Sequence, residues 1–184
     1  MTMRHFKPRT GQNGRGLRTV TLLFMGFLAA STELAVAAPI TQRVSVDLSG
    51  IEIPGGGRAA SISADGRFVA FVSRVVDPNT GTIKAQVFVR DRGACSPPTP
   101  CTRLISVAPD GRHGNDDSSS PTISSDGNAV AFVSKAKNLL TGATGAADHV
   151  FVRDHAAGTT ELISNGADGN QGNSFSDSPY ISKA

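Results

Sequence analysis

The chain has 184 residues, 39% of them apolar and 18% charged, with 18 Lys and Arg against 15 Asp and Glu. Five of the basic residues and one acidic residue fall within residues 1–37, so the rest of the chain holds 13 basic and 14 acidic residues. A near-neutral body offers no basic footprint for a phosphate backbone, which excludes nucleic acid as the expected partner.

In chain order, the first predicted element is a leader. Arg4, Lys7, Arg9, Arg15 and Arg18 precede an apolar run over 20–30, and Ala35-Val36-Ala37 supplies the small residues a signal peptidase needs. Thr32 and Glu33 interrupt the apolar run well short of the ~20 residues of a spanning helix. Residues 1–37 are therefore predicted to be a helical signal peptide cleaved before Ala38. The product, 38–184, is expected in the periplasm or outside the cell, with no membrane attachment after cleavage. No Arg-Arg pair marks the twin-arginine route, and no Cys follows the apolar run to carry a lipid.

Beyond the leader the chain repeats itself. Ile62-Ser63-Ala64-Asp65-Gly66-Arg67-Phe68-Val69-Ala70-Phe71-Val72-Ser73 returns as Ile123-Ser124-Ser125-Asp126-Gly127-Asn128-Ala129-Val130-Ala131-Phe132-Val133-Ser134. Val87-Phe88-Val89-Arg90-Asp91 returns as Val150-Phe151-Val152-Arg153-Asp154, and Thr102-Arg103-Leu104-Ile105-Ser106 as Thr160-Glu161-Leu162-Ile163-Ser164. A third copy opens with Ser178-Pro179-Tyr180-Ile181-Ser182. Self-similarity at a fixed spacing means that each unit covers its apolar faces only by leaning on its neighbours.

Each copy reads as four strands. Strand a lies near 60–63 and 121–124, strand b near 68–73 and 129–134, strand c near 87–91 and 150–154, and strand d near 103–107 and 161–164. Asp65-Gly66 and Asp126-Gly127 are expected to be tight a–b hairpin turns with both residues at positive φ. Strand b is apolar at nearly every position, which predicts burial on both faces rather than one. Strand d alternates and reads as an outer edge. Thr41-Gln42-Arg43-Val44-Ser45-Val46 matches strand d, so the exported chain is expected to open on an outer strand. The result is an all-β chain, an incomplete β-propeller with blade 1 at about 58–107, blade 2 at about 119–164 and the start of blade 3 at about 178–184. Two blades and a fragment, where propellers typically have 4–8, predict a truncated piece of a longer product, with assembly of several chains into one ring as the alternative.

Cys95 and Cys101 flank Ser-Pro-Pro-Thr-Pro, and in an oxidising compartment they are candidates for a local disulfide. A zinc site needs more ligands, and Cys-x-x-Cys spacing is absent. The Asp-rich loops 110–118 and 168–174 carry the hard oxygen donors calcium takes, but their spacing is not that of an EF-hand and no Glu closes them. Asp, Asn, Gly and Ser are also the ordinary residues of tight loops, so no cofactor is expected and calcium is the only ion these loops suggest. Asp91 and Asp154 are expected to start c–d turns, with Arg90 and Arg153 lying along a neighbouring strand. His113, His149 and His155 read as surface histidines. No nucleophile elbow, zinc-protease helix or phosphate loop is present, which predicts that the chain is not an enzyme.

Ser-Pro-x-Ile-Ser-x-Asp-Gly followed by Val-Ala-Phe-Val-Ser, and then Val-Phe-Val-Arg-Asp, resembles the WD-type blade repeat of TolB-like exported β-propellers over roughly 41–184. The resemblance implies a binding or interaction scaffold that uses loops at one end of the ring, with a protein or glycan partner of unknown identity. Uncapped blades add self-association to the expected partners. The alternative is the propeller of an exported dipeptidyl peptidase-like hydrolase whose catalytic domain lies downstream.

Overall fold

The computed structural model describes residues 41–78, 80–93, 101–141, 147–168, 171–172 and 174–182. The predicted leader and Cys95 lie outside the described residues. Among the described residues, eight strands form two four-stranded sheets. The first runs β1 (Arg58–Ile62), β2 (Phe68–Val76), β3 (Ile83–Asp91) and β4 (Thr102–Leu104). The second runs β5 (Ser118–Ile123), β6 (Ala129–Ser134), β7 (His149–Asp154) and β8 (Thr159–Leu162). Both sheets are antiparallel meanders in chain order, so each blade is local in sequence. β2 and β3 extend beyond the repeated runs, to Val76 and back to Ile83, because the pairing continues from Ser73↔Gln86 to Val76↔Ile83.

The uniform apolarity of strand b has a direct structural counterpart. One face of the first sheet presents Ala70, Val72, Ala85, Val87, Val89 and Ile105 to the second, which answers with Ile123, Val130, Phe132, Ala136, Leu139 and Phe151. The small and β-branched side chains of one blade receive the stacked Phe132–Phe151 pair of the next, whose ring centroids lie 5.8 Å apart. Each buried phenylalanine contributes about 1.5–3 kcal/mol relative to exposure. The opposite face of the first sheet carries the equivalent pair, Phe71 and Phe88, at 5.7 Å, covered there by Ile53.

The first strand of each blade contains a bulge. Register shifts between Arg58 and Ser61 in β1 and between Ser119 and Thr122 in β5, and the chain enters the left-handed region at Ala59 (φ 50°) and Ser120 (φ 48°). Ser178 (φ 53°) adopts the same state at the same repeat position. Ser120-Pro121 is therefore the residue pair of a bulge that re-aims β5, and Ala59-Ala60 holds the same place in β1.

A second recurring device follows strand d. Single bridges join Val46 to Glu52, Val107 to His113 and Asn165 to Gln171. Thr41–Val46 thus shares the local geometry of its repeat counterparts, but it is not a strand of either sheet. Among the described residues the expected opening outer strand has no strand c beside it, and the segment that follows carries Ile53 onto the first sheet.

The a–b turns also differ from expectation. Gly66 and Gly127 have positive φ, at 71° and 78°, but Asp65 and Asp126 do not. The Gly66 amide donates to the Ser63 carbonyl and the Gly127 amide to the Ser124 carbonyl, so Asp sits inside a type I turn and only the glycine that follows is left-handed.

Candidate functional site

At the end of the sheets that carries the a–b turns, the Asp side chains are consumed by the turn itself. Ser63 Oγ donates to Asp65 Oδ1 at 2.6 Å, the Arg67 amide donates to the same oxygen at 2.9 Å, and the Phe68 amide closes the cycle on Ser63 Oγ. Ser124, Asp126, Asn128 and Ala129 repeat the arrangement. The Ser63 hydroxyl and the Arg67 amide hold the Asp65 carboxyl below its ordinary value, as the Ser124 hydroxyl and the Asn128 amide do for Asp126. The neighbouring turns touch. The Ala64 amide donates to the Ser125 carbonyl, and Phe68 lies over Gly127 and tilts against His155 at 5.6 Å.

The paired Arg and Asp at the end of strand c are also structural. Arg90 and Arg153 each donate an Nη1 hydrogen bond across to strand d, to Thr102 Oγ1 at 3.2 Å and Thr160 Oγ1 at 2.8 Å. Burial lowers the Arg153 pKa. Asp154 accepts from the Ala156 and Ala157 amides, starting its turn, while Asp91 accepts from the Gly93 amide and takes a bidentate contact from Arg67. Cys101 is disulfide-bonded; Cys95, the other cysteine of the chain, lies outside the described residues.

The Asp-rich connection between the blades distributes its carboxylates singly. Asp110 is bound by Arg112, which lowers the pKa of the acid and raises that of the base. Asp116 receives Lys84 Nζ at 2.9 Å, and Asp117 accepts the Ala85 amide at 2.8 Å. Among the described residues no group of three or more His, Cys, Asp or Glu side chains is placed to hold a metal ion.

A polar cleft of about 160 Å³ opens at the other end, where the b–c loop of the first blade meets this connection, lined by Asp77, Thr80, Arg112, His113, Asn115 and Asn138. Its floor is locked. Asn138 Oδ1 accepts the Asn115 amide, Asn138 Nδ2 donates to the His113 carbonyl, and Asn115 Oδ1 accepts the Lys137 amide. Thr80 Oγ1 donates to Asp77 Oδ2 at 2.8 Å. His113 Nδ1 is buried without a hydrogen-bond partner. Asp77 and Asn138 occupy the same repeat position, which is the signal that could have marked them in the sequence. His149 is a correction: it is 1% exposed, not a surface histidine. It stands where the first blade has Gln86, whose amide donates to the Gly114 carbonyl and whose oxygen accepts from Ser106. Burial lowers the His149 pKa, opposed by nearby Asp148.

Four meandering strands with the same bulge and the same turn recur in each sheet, and the two sheets pack face to face. The sheets are β-propeller blades. No protein-family model matches the chain, and no curated protein does. Among solved structures the chain is similar to the β-propeller domain of the Trilobed protease from Pyrococcus furiosus, at 16% identity over 58% of this chain and 27% of that one, with a TM-score of 0.38. It is also similar to TolB from Acinetobacter baumannii, at 16% identity over 57% of this chain and 31% of that one, with a TM-score of 0.22. The chain thus spans about a third or less of these structures. The repeated blade geometry, and not these partial likenesses, identifies the propeller.

Proposed function

We propose that this chain is an exported, non-enzymatic propeller scaffold that binds a protein partner through the loop end carrying the Asp77–Asn138 cleft. The cleft carries this proposal. Small-molecule and cofactor sites occupy about 300–1,000 Å³, whereas this opening of about 160 Å³ has room for one polar side chain of a partner. That volume favours a protein over a glycan. The floor is rigid because its amides bond one another, so an entering group meets fixed donors and acceptors and little side-chain ordering is required on binding. The acids of the a–b turns, the strand c ends and the connection are engaged by turn amides and hydroxyls or by single cations, which supports a binding role over acid–base chemistry. The leader pattern supports export.

The test is site-specific photo-crosslinking in the exporting host. A crosslinker at Thr80 is expected to capture one discrete protein, and Asn138→Ala is expected to abolish capture, while a crosslinker at Ser125 on the far turns captures nothing. Equal capture from both ends, or capture insensitive to Asn138, would overturn the assignment.

A further inference from the structure

We propose that copies of this chain associate head to tail, the outer face of the second sheet of one copy seating on the outer face of the first sheet of the next. This extends beyond the loop-end site and does not depend on it.

Two pairs of isoleucines at matching repeat positions locate the faces. Ile123 is 6% exposed because the first sheet covers it; its counterpart Ile62, with no sheet beyond, is 57% exposed. Ile105 is 1% exposed against the second sheet, and its counterpart Ile163 is 52% exposed. The head is the face of the first sheet around Ile62. It also carries two apolar hollows of about 460 and 420 Å³ that share Asp47, Ile53 and Val75, with Leu48, Val76 and Ile83 exposed beside them. The tail is the face of the second sheet around Ile163, with Val150 and Val152 half-buried.

These faces are the repeat counterparts of the two that already pack against each other inside the chain. Val150 and Val152 correspond to Val87 and Val89, while Phe71, Phe88 and Leu104 at the head correspond to Phe132, Phe151 and Leu162. At the head Ile53 already covers Phe71 and Phe88, so an incoming tail meets the exposed Ile62, Val76 and Ile83 and the hollows around Ile53 and not a bare phenylalanine pair. Contiguous exposed apolar surface of this kind marks an interaction site.

Charge selects the orientation. Residues 41–112 carry nine basic and six acidic side chains, and 113–184 carry four and eight. The first sheet's half of the chain is net positive and the second's net negative, so bringing opposite halves together is attractive while like halves repel. Because the two patches differ, the contact is heterologous: it closes into a ring if the rotation permits and grows as a filament if not.

At the tail, residues 174–182 stand in the seat. Ser178 and Tyr180 occupy the repeat positions of Ala59 and Ser61 in β1, so the incoming sheet needs their place. Tyr180 is 90% exposed and residues 174–182 pair with no strand, the Ser176 amide donating to the Asp148 carbonyl. Displacing this segment breaks little, and removing it should tighten association.

Sedimentation velocity on the full chain tests the proposal. The wild type should show concentration-dependent oligomers that weaken as salt rises. Ile62→Asp, which blocks the head, and Ile163→Lys, which blocks the tail, should each be monomeric, and an equimolar mixture should form a one-to-one heterodimer. Deleting 177–184 should lower the concentration at which oligomers form. Both substituted positions are exposed, and circular dichroism of each variant verifies folding. If one fails to fold, hydrogen exchange of the wild type decides instead, with protection at 75–83 and 150–152 expected on concentration. A monomeric wild type, oligomers that persist in both single variants, or failure of the mixture to pair would overturn the proposal.

Discussion

Gly66 and Gly127 occupy the same turn position with nearly the same φ, yet their surroundings separate them. A Cβ on Gly127 would fall 2.1 Å from the Phe68 ring, whereas one on Gly66 would meet nothing closer than 3.8 Å. Gly66→Ala should therefore cost only the left-handed backbone, about 1–2 kcal/mol. Gly127→Ala should add an overpacking cost of about 1–3 kcal/mol as Phe68 is displaced, and paired urea denaturation curves measure the difference. The Asp-Gly pair is legible in the sequence as a turn; that one copy supports a neighbouring blade is not, because Phe68 is distant along the chain and Ala129 replaces it in the second copy. His149 makes a second residue-scale case. Burial lowers its folded pKa below the unfolded value of about 6.5. The unfolded chain then binds more protons, so stability is fully present above pH 6.5 and falls as the pH drops below it. His149→Gln, which installs the residue the first blade carries, should remove that loss, and the wild-type-minus-variant difference in stability between pH 7 and pH 5 measures it. The sequence placed a histidine at the start of strand c but gave no sign of burial, since the adjoining Asp148 reads as a solvated loop.

At the scale of the element, the informative motif is Ser-Pro. Residues before proline are pushed toward extended backbone, yet Ser120, which precedes Pro121, sits at φ 48°. The bulge therefore holds its residue against local preference, and the alternation of β5 resumes beyond it at Thr122↔Ala131. Ser120→Gly relieves the strain but increases the freedom of the unfolded chain, so it should leave stability within about 1 kcal/mol of wild type. Ser120→Val places a β-branched residue at positive φ and should cost about 1–3 kcal/mol; thermal denaturation distinguishes the two. Strand existence and order were readable because each strand is a short β-branched or aromatic run bounded by turn residues. The bulge was not, because register belongs to the partner strand. Thr41–Val46 shows the same limit from the other side. Its sequence carries the strand d pattern and its backbone the strand d bridge, but among the described residues no strand c runs alongside to give it a ladder.

For the whole molecule, a repeat alignment predicts equal residues at equal positions, and the structure makes them unequal according to what lies beyond them. Ile123 and Ile105 are enclosed between the two sheets, so truncating either to alanine deletes buried methylene groups and leaves a cavity, at about 2–5 kcal/mol. Ile62 and Ile163 occupy the matching places on the open faces, 57% and 52% exposed, and the same change there should cost less than about 0.5 kcal/mol in dilute solution. The sequence contained both pairs and the spacing that equates them. It could not rank them, because burial depends on how many blades stand on each side and not on the residue. The cleft was hidden for a related reason: Asp77 and Asn138 belong to different blades, and only stacking brings the first beside the connection that the second anchors. The isoleucine comparison also couples to assembly. Where copies seat head to tail, Ile62 and Ile163 become enclosed as Ile123 and Ile105 already are, so the penalty for truncating them should grow with protein concentration. Thermal melts of Ile163→Ala and wild type across a concentration series measure this. A gap between the two melting temperatures that widens with concentration is the expected result, and a gap that stays constant would show that each chain keeps its open faces to itself.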